Sequence, residues 1–476
     1  MGTSLYSEIL LADDRVAGSK LSLGLTVGFS ILIVAGLAVT GRAQLLRVSI
    51  PLVAALIGLV LYLNRPVLFL QYALWVWFLV PLVRRLVDWR FGFVEQNYVL
   101  LAPFLVSAVA GLSLLPPRPS ASIRPPMAFV LCGASILYGF VIGMLAERSA
   151  EMVFGLVNWL TPMIFGLHVY LNWPRYEQYK AAITRTFLWA LVLMGLYGIY
   201  QYVLPPAWDR YWLENVMEGG SNSFGRPEPF EIRVWSTMNS PGPFANTVMA
   251  GLLLLFAIRS PLKLPSAVAG YLSFLLSVVR AAWLSWVVGF ISIMKNANPR
   301  VIFRAVLSLA LLIVCLVPLV SDPRVSTALG DRFKTFTDLG HDESAGARMQ
   351  LYRESIEDAL RSPFGYGLKT LDATHGKIDS GILTLVFSLG WLGGIVFVVG
   401  LASLLFGGHT HVRQDDFANA SRAIALAILA QIVAGAVFVN VTGALFWIFG
   451  AMYLAAQRYH AECPTQAGLN MEFEHA

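Results

Sequence analysis

A chain of 476 residues that is 57% hydrophobic and only 13% charged is not an ordinary soluble domain, in which about a quarter of the residues are charged. The net charge of +6 does not point to nucleic acid. The basic residues sit mostly in short loops between apolar blocks, and no basic run interleaved with aromatics occurs.

The apolar residues come in blocks of roughly 17–25, long enough to cross a hydrocarbon core about 30 Å thick. Backbone polar groups cannot be left unpaired in lipid, so these blocks must be helices. The expected fold is all-α, a polytopic membrane protein with about 12–14 transmembrane helices. In chain order the spans are expected at about Leu21–Thr40, Val48–Leu63, Val67–Val83, Asn97–Leu115, Pro126–Ala146, Met152–Leu171 and Ile183–Leu204. They continue at Pro243–Ile258, Leu264–Val279, Ala281–Met294, Val301–Val320, Ser380–Phe406, Ser421–Val439 and Val441–Gln457. The first block has no small-residue cleavage site behind it and reads as a retained span. Residues 1–204 thus form an N-terminal bundle, 205–242 a first long loop, 243–320 central helices, 321–379 a large loop, and 380–476 the C-terminal helices and tail. Cys132 and Cys315 lie in apolar blocks and Cys463 in the tail, so neither a disulfide nor a cysteine metal site is expected.

With a cytoplasmic N-terminus, 16 short-loop arginines and lysines fall inside and 7 outside, which satisfies the positive-inside bias and puts both long loops outside. The parity depends on Leu264–Met294, apolar except for Arg280. As one helix it would be roughly 46 Å long, well over one bilayer core. Two short helices meeting at Arg280 fit better, with Lys263 and Lys295 at their inner ends; one tilted helix with a snorkelling arginine is the alternative. In the large loop, Leu329, Phe333 and Phe336 share one helical face, as do Met349, Tyr352, Ile356 and Leu360. Two amphipathic helices are expected there, the second capped by Ser344 and ended by Pro363.

Candidate chemistry gathers on the outer side. The prolines and glycines of Gly225–Ala245 enforce a fixed non-helical path offering Arg226, Arg233, Ser236, Thr237 and Asn239 as hydrogen-bond donors; an ordinary polar connector is the alternative. Arg280, at membrane depth, needs an anionic partner. A lipid pyrophosphate would suit its bidentate fork, and Glu228, Glu231 or Asp379 would be internal substitutes. Arg348 opens the second loop helix, as a ligand or as a solvated side chain. Arg84, Arg85 and Arg90 either line the same site or lie among headgroups. For proton transfer the outer side offers His341, Asp372, His375, Asp379, Glu228 and Glu231. His375 and Asp379 are one helical turn apart just before a span, where a base could take the proton of an attacking sugar hydroxyl. No metal-ligand pattern occurs.

Three stretches in order resemble the O-antigen ligase/polymerase family: Arg226–Ala245, Ser277–Leu284, and Ser344–Gly367 with its Ser362-Pro363-Phe364-Gly365-Tyr366-Gly367. The resemblance runs on through Asp379–Leu383 and Gly390-Trp391-Leu392-Gly393, covering about Arg226 to Gly394. It implies a membrane glycosyltransferase of the GT-C type that needs neither nucleotide sugar nor metal and takes an undecaprenyl-pyrophosphate-linked oligosaccharide as donor. It further implies a place in a bacterial inner membrane with periplasmic long loops, and a flippase and a chain-length regulator as partners. The pyrophosphate-binding role would fall on Arg233 and Arg280, with Arg348 as a further candidate. Family ligases carry His-Asn just before the span after the large loop. Here Asp379-Ser380 holds that register, with His375 four residues earlier, which favours a polymerase of lipid-linked repeat units over a ligase moving a finished glycan to lipid A core or protein. A transporter is the alternative from another class, but no paired interrupted helices in two halves support it.

Overall fold

The computed structural model describes residues 41–115, 125–146, 149–219, 224–295, 357–368, 380–407 and 415–462, together with Gly36, Ile302 and Ser355. Every regular element among them is helical, apart from an isolated antiparallel bridge between Gly225 and Ile232. The helices are α1 (Ala43–Asn64), α2 (Pro66–Phe91), α3 (Ala102–Val109), α4 (Met127–Ala146), α5 (Ala150–Leu171), α6 (Tyr176–Val203) and α7 (Ala207–Glu218). They continue as α8 (Pro241–Leu254), α9 (Lys263–Leu276), α10 (Arg280–Met294), α11 (Gly381–Phe406), α12 (Asp416–Ala430) and α13 (Asn440–Glu462). Seven helical stretches among the described residues are long and apolar enough to cross a membrane, and four shorter apolar ones accompany them. The chain is a multi-pass membrane protein.

Most expected spans lie within these helices. Leu21–Thr40, Val301–Val320 and the large-loop helices fall outside the described residues, except that Glu357–Leu360 is helical. Two differences are informative. The stretch read as a loop from residue 205 holds α7, whose Trp212 and Leu213 are buried. The expected span Asn97–Leu115 is instead a short α-helix flanked by 3-10 turns, Tyr98–Leu101 and Ala110–Leu114. The expected break at Arg280 is present: α9 ends at Leu276, and α10 begins at Arg280.

Small residues bring several helices of the bundle close together. α8 is buried along almost its whole length, and α13 presents Gly443, Ala444, Gly450, Ala451, Ala455 and Ala456. In lipid the hydrophobic effect does not drive helices together, so close backbone approach through small residues does. Gly166 on α5 illustrates this, since a Cβ there would stand 2.6 Å from the Trp447 carbonyl oxygen of α13. Large aromatic side chains such as Phe69, Phe165, Phe187 and Trp447 fill the core between these contacts, while other large apolar side chains point outward. Leu45, Val48, Leu52, Leu56 and Leu63 are exposed along α1, a stripe suited to acyl chains.

Polar groups collect at two opposite poles. At one pole Asp415 caps α12 by accepting from Phe417 N and Ala418 N at 3.0 and 3.1 Å. It also accepts from Tyr176 Oη at 2.8 Å, lies 3.0 Å from His460 Nε2, and has Lys180 Nζ at 3.9 Å. Burial opposes its charge, but His460, Lys180, Tyr176 and the Ala418 N–H outweigh burial and hold the carboxyl at about 2. A carboxyl with a depressed folded pKa stabilises the fold above its unfolded value and ceases to do so as the pH falls through the folded value. Stability is therefore expected to drop by about 2 kcal/mol between about pH 4 and pH 2 on account of this group. Acid titration of the melting temperature checks this: Asp415→Asn should flatten that part of the curve.

Candidate arginine site

The other pole carries the sequence-derived candidates. α2 ends there with Arg84, Arg85 and Asp88, all buried. Arg84 Nε donates to Asp88 Oδ2 at 3.1 Å, and its Nη2 donates to the carbonyls of Val94 and Glu95. Arg47 and Asn97 complete the surroundings of Asp88 at 3.4 and 2.7 Å. Arg85 is fully buried; its Nη1 donates to Asp209 Oδ1 at 2.7 Å, and its Nη2 donates to the Ser236 carbonyl. Asp209 Oδ2 accepts from Tyr197 Oη at 2.9 Å and Gln201 Nε2 at 2.6 Å. The side-chain oxygen of Gln201, Oε1, then accepts from Trp235 N and Ser236 N at 3.1 and 2.9 Å. Arg84 and Arg85 are thus neutralised inside the protein, and they build the floor under the first long loop rather than opening toward a ligand. Arg90 is exposed.

The loop from Phe224 to Ser240 lies on that floor along the non-helical path its prolines and glycines dictate. Ser236 Oγ donates to Met194 O at 2.6 Å and Thr237 Oγ1 to Phe78 O at 2.7 Å. Both hydroxyls therefore anchor backbone. Asn239 differs, because its Oδ1 is buried without a hydrogen-bond partner among the described residues. Phe224 packs edge to face on both Trp212 and Trp235, which are themselves tilted against each other, all with ring centroids 5.7 Å apart. Arg226 is exposed and lies 3.6 Å from the Glu231 carboxylate.

Arg233 reaches the break between α9 and α10. The last carbonyls of α9 lack helical partners. Val234 N donates to Leu276 O at 3.0 Å, and the Arg233 side chain donates to Ser277 O at 3.4 Å and Val278 O at 3.0 Å. A cation over a helix C-terminus is favourable, since the dipole concentrates negative charge there. Two residues beyond Val278 stands Arg280, half-buried at the positive N-terminal end of α10. The two arginines singled out by sequence thus share one turn. α9 and α10, with 14 and 15 residues, are each about 21–23 Å long, shorter than the core.

This junction is strained. Val278 has φ +53, and Phe230 and Ser236 have φ +67 and +51. A β-branched residue at positive φ is a true outlier, and such conformations gather where a fold holds a functional geometry against its local preference. No sequence signal marks Val278.

Arg348, His375 and Asp379 lie outside the described residues. The chain resumes at Ser380, fully buried, whose Oγ caps α11 by accepting from Leu383 N. Gly381 packs against the carbonyls of Ile432 and Gly435, and α10 packs on the same turn, Gln431–Val433. Among the described residues no three His, Cys, Asp or Glu side chains are grouped so as to hold a metal ion. No family model matches the sequence, and no curated protein matches it.

Proposed function

We propose that the chain polymerises lipid-linked polysaccharide repeat units by glycosyl transfer on the periplasmic side of a bacterial inner membrane. The donor is an undecaprenyl-pyrophosphate glycan. A hydroxyl of a second repeat unit attacks the anomeric carbon, the bond from that carbon to the pyrophosphate oxygen breaks, and the lipid pyrophosphate leaves. His375 or Asp379 takes the hydroxyl proton, while Arg233 and Arg280 stabilise the charge developing on the leaving group. What supports this reading is the placement of Arg233 against the turn from which Arg280 emerges. The order of the family-like stretches around that turn supports it too.

Purified protein incubated with a lipid-pyrophosphate repeat unit is expected to yield a ladder of longer glycans. Arg280→Ala is expected to slow the ladder by about 10²–10³-fold, the usual effect of removing one preorganised charge-stabilising donor, while the melting temperature in detergent stays within the wild-type range. A full-rate ladder from Arg280→Ala would remove that residue from the site. Transfer only to a lipid A core acceptor, with no ladder, would replace polymerase by ligase.

A further inference from the structure

α6 has 28 residues and is about 42 Å long, more than a hydrocarbon core of about 30 Å requires. Its charged residues Glu177, Lys180 and Arg185 all precede Thr186, and from Thr186 to Val203 it carries none. That uncharged part is about 27 Å long, close to the core thickness, so Arg185 falls at the membrane–water boundary of the Asp415 pole. Beside it a cavity of about 350 Å³ opens between α1, α2 and α6, walled by Leu61, Leu68, Tyr72, Trp75 and Trp189. The polar groups of the wall are turned onto backbone: Tyr72 Oη donates to Ala54 O at 3.1 Å and Thr186 Oγ1 to Ala182 O at 2.9 Å. Leu68 and Trp189 are each 44% exposed on the lipid-facing surface. Arg185 is exposed at the mouth, and Arg65 lies one helical turn before Leu68.

We propose that this cavity holds one acyl chain of an anionic phospholipid whose phosphate rests on Arg185. The aromatic and aliphatic wall takes the chain, as a lipid-bathed apolar pocket must be filled by something apolar. The guanidinium takes the phosphate through its paired donors. Charge complementarity selects the headgroup, because a zwitterionic lipid brings its own cation to the same place and gains less from arginine. The site belongs to the opposite pole from the arginine junction and does not depend on the glycosyl-transfer reading.

Native mass spectrometry of the delipidated full chain in detergent tests the proposal, with phosphatidylglycerol and phosphatidylcholine of identical chains as probes. Wild type is expected to bind phosphatidylglycerol about tenfold more tightly, the worth of one charge-assisted contact. Arg185→Gln should erase that preference, and Leu68→Trp, which fills the cavity from an exposed position, should weaken both lipids. Equal binding of the two lipids by wild type, a preference that survives Arg185→Gln, or displacement of the lipid by an equal concentration of inorganic phosphate would each overturn it.

Discussion

Asp209→Ala is expected to destabilise the protein by about 3–5 kcal/mol, because it leaves a buried arginine without its counter-charge. Arg85 has no exposed side-chain surface, and its carboxylate partner is equally enclosed. An arginine cannot shed its proton to escape burial, so the loss is not relieved by titration. The converse change is milder. Burial already pushes the Asp209 carboxyl up against the pull of Arg85, Gln201 and Tyr197, so in Arg85→Met the acid can take up a proton and remain a partner for Gln201 and Tyr197. Arg85→Met is therefore expected to cost less than Asp209→Ala. The pair Arg85→Met/Asp209→Leu should recover much of the loss, since a well-packed apolar pair often equals a buried ion pair. Thermal unfolding in detergent reads all three variants. An Asp209→Ala protein that melts like wild type would mean the ion pair is not enclosed as described.

The consequence reaches the arginine junction. The carbonyl of Ser236 sits on Arg85, and the N–H groups of Trp235 and Ser236 sit on Gln201, which itself donates to Asp209. Three residues earlier in the same loop is Arg233, whose reach to the α9–α10 break depends on where this floor holds the backbone. Asp209→Ala should therefore also depress the glycan ladder without touching substrate.

The apolar blocks made most of the spans legible, because a hydrocarbon core demands helices of a fixed minimum length. The break at Arg280 was legible for the same reason, as the 31-residue stretch from Leu264 to Met294, with Arg280 its one charge, is too long for one crossing. α7 was not, because the charged residues Asp209, Arg210 and Glu214 mask the spacing of Trp208, Trp212 and Val216, four residues apart. The role of Arg85 was hidden by distance along the chain: its partner is 124 positions away, and a single aspartate in a polar stretch carries no period that betrays burial. Arg84 and Asp88 stand at i and i+4, a spacing at which helical side chains meet, although sequence alone places Arg84 at the site or among the headgroups. The positive φ of Val278 runs against its own side-chain preference, which is why no propensity argument reaches it.

Gly390→Ala is expected to unlock the end of the large loop from the membrane helices. α11 is broken at Gly390, with φ +63 and ψ −175, a conformation essentially reserved for glycine. The break exposes two backbone groups, and the segment Pro363–Leu368 satisfies both: Tyr366 N donates to Phe387 O at 2.6 Å, and Leu392 N donates to Pro363 O at 3.3 Å. Tyr138 Oη adds a bond to Phe364 O at 3.2 Å, and Trp391 Nε1 one to Ala359 O at 2.9 Å. A Cβ at Gly390 would overlap Pro363 and Phe364, one at Gly365 would overlap α11, and ones at Gly143 and Gly155 would overlap Met152 and the Leu368 carbonyl. The two glycine-rich stretches of the family-like pattern are therefore halves of one joint, and their glycines serve backbone contact rather than chemistry. Alanine at Gly390 adds about 1–3 kcal/mol of backbone strain to that overlap. Local opening is set by the free energy that holds the segment down, so a loss of about 3 kcal/mol corresponds to roughly 10²-fold more of the open form. Leu368, 2% exposed, is the place to read it: in a background free of other cysteines, Leu368→Cys should label slowly, and Gly390→Ala should speed labelling by about that factor. Equal labelling rates would mean that the joint does not hold the loop. Since His375 and Asp379 follow in the chain, eleven residues or fewer beyond Leu368, releasing the loop should also slow the proposed glycan transfer while leaving the arginine junction intact.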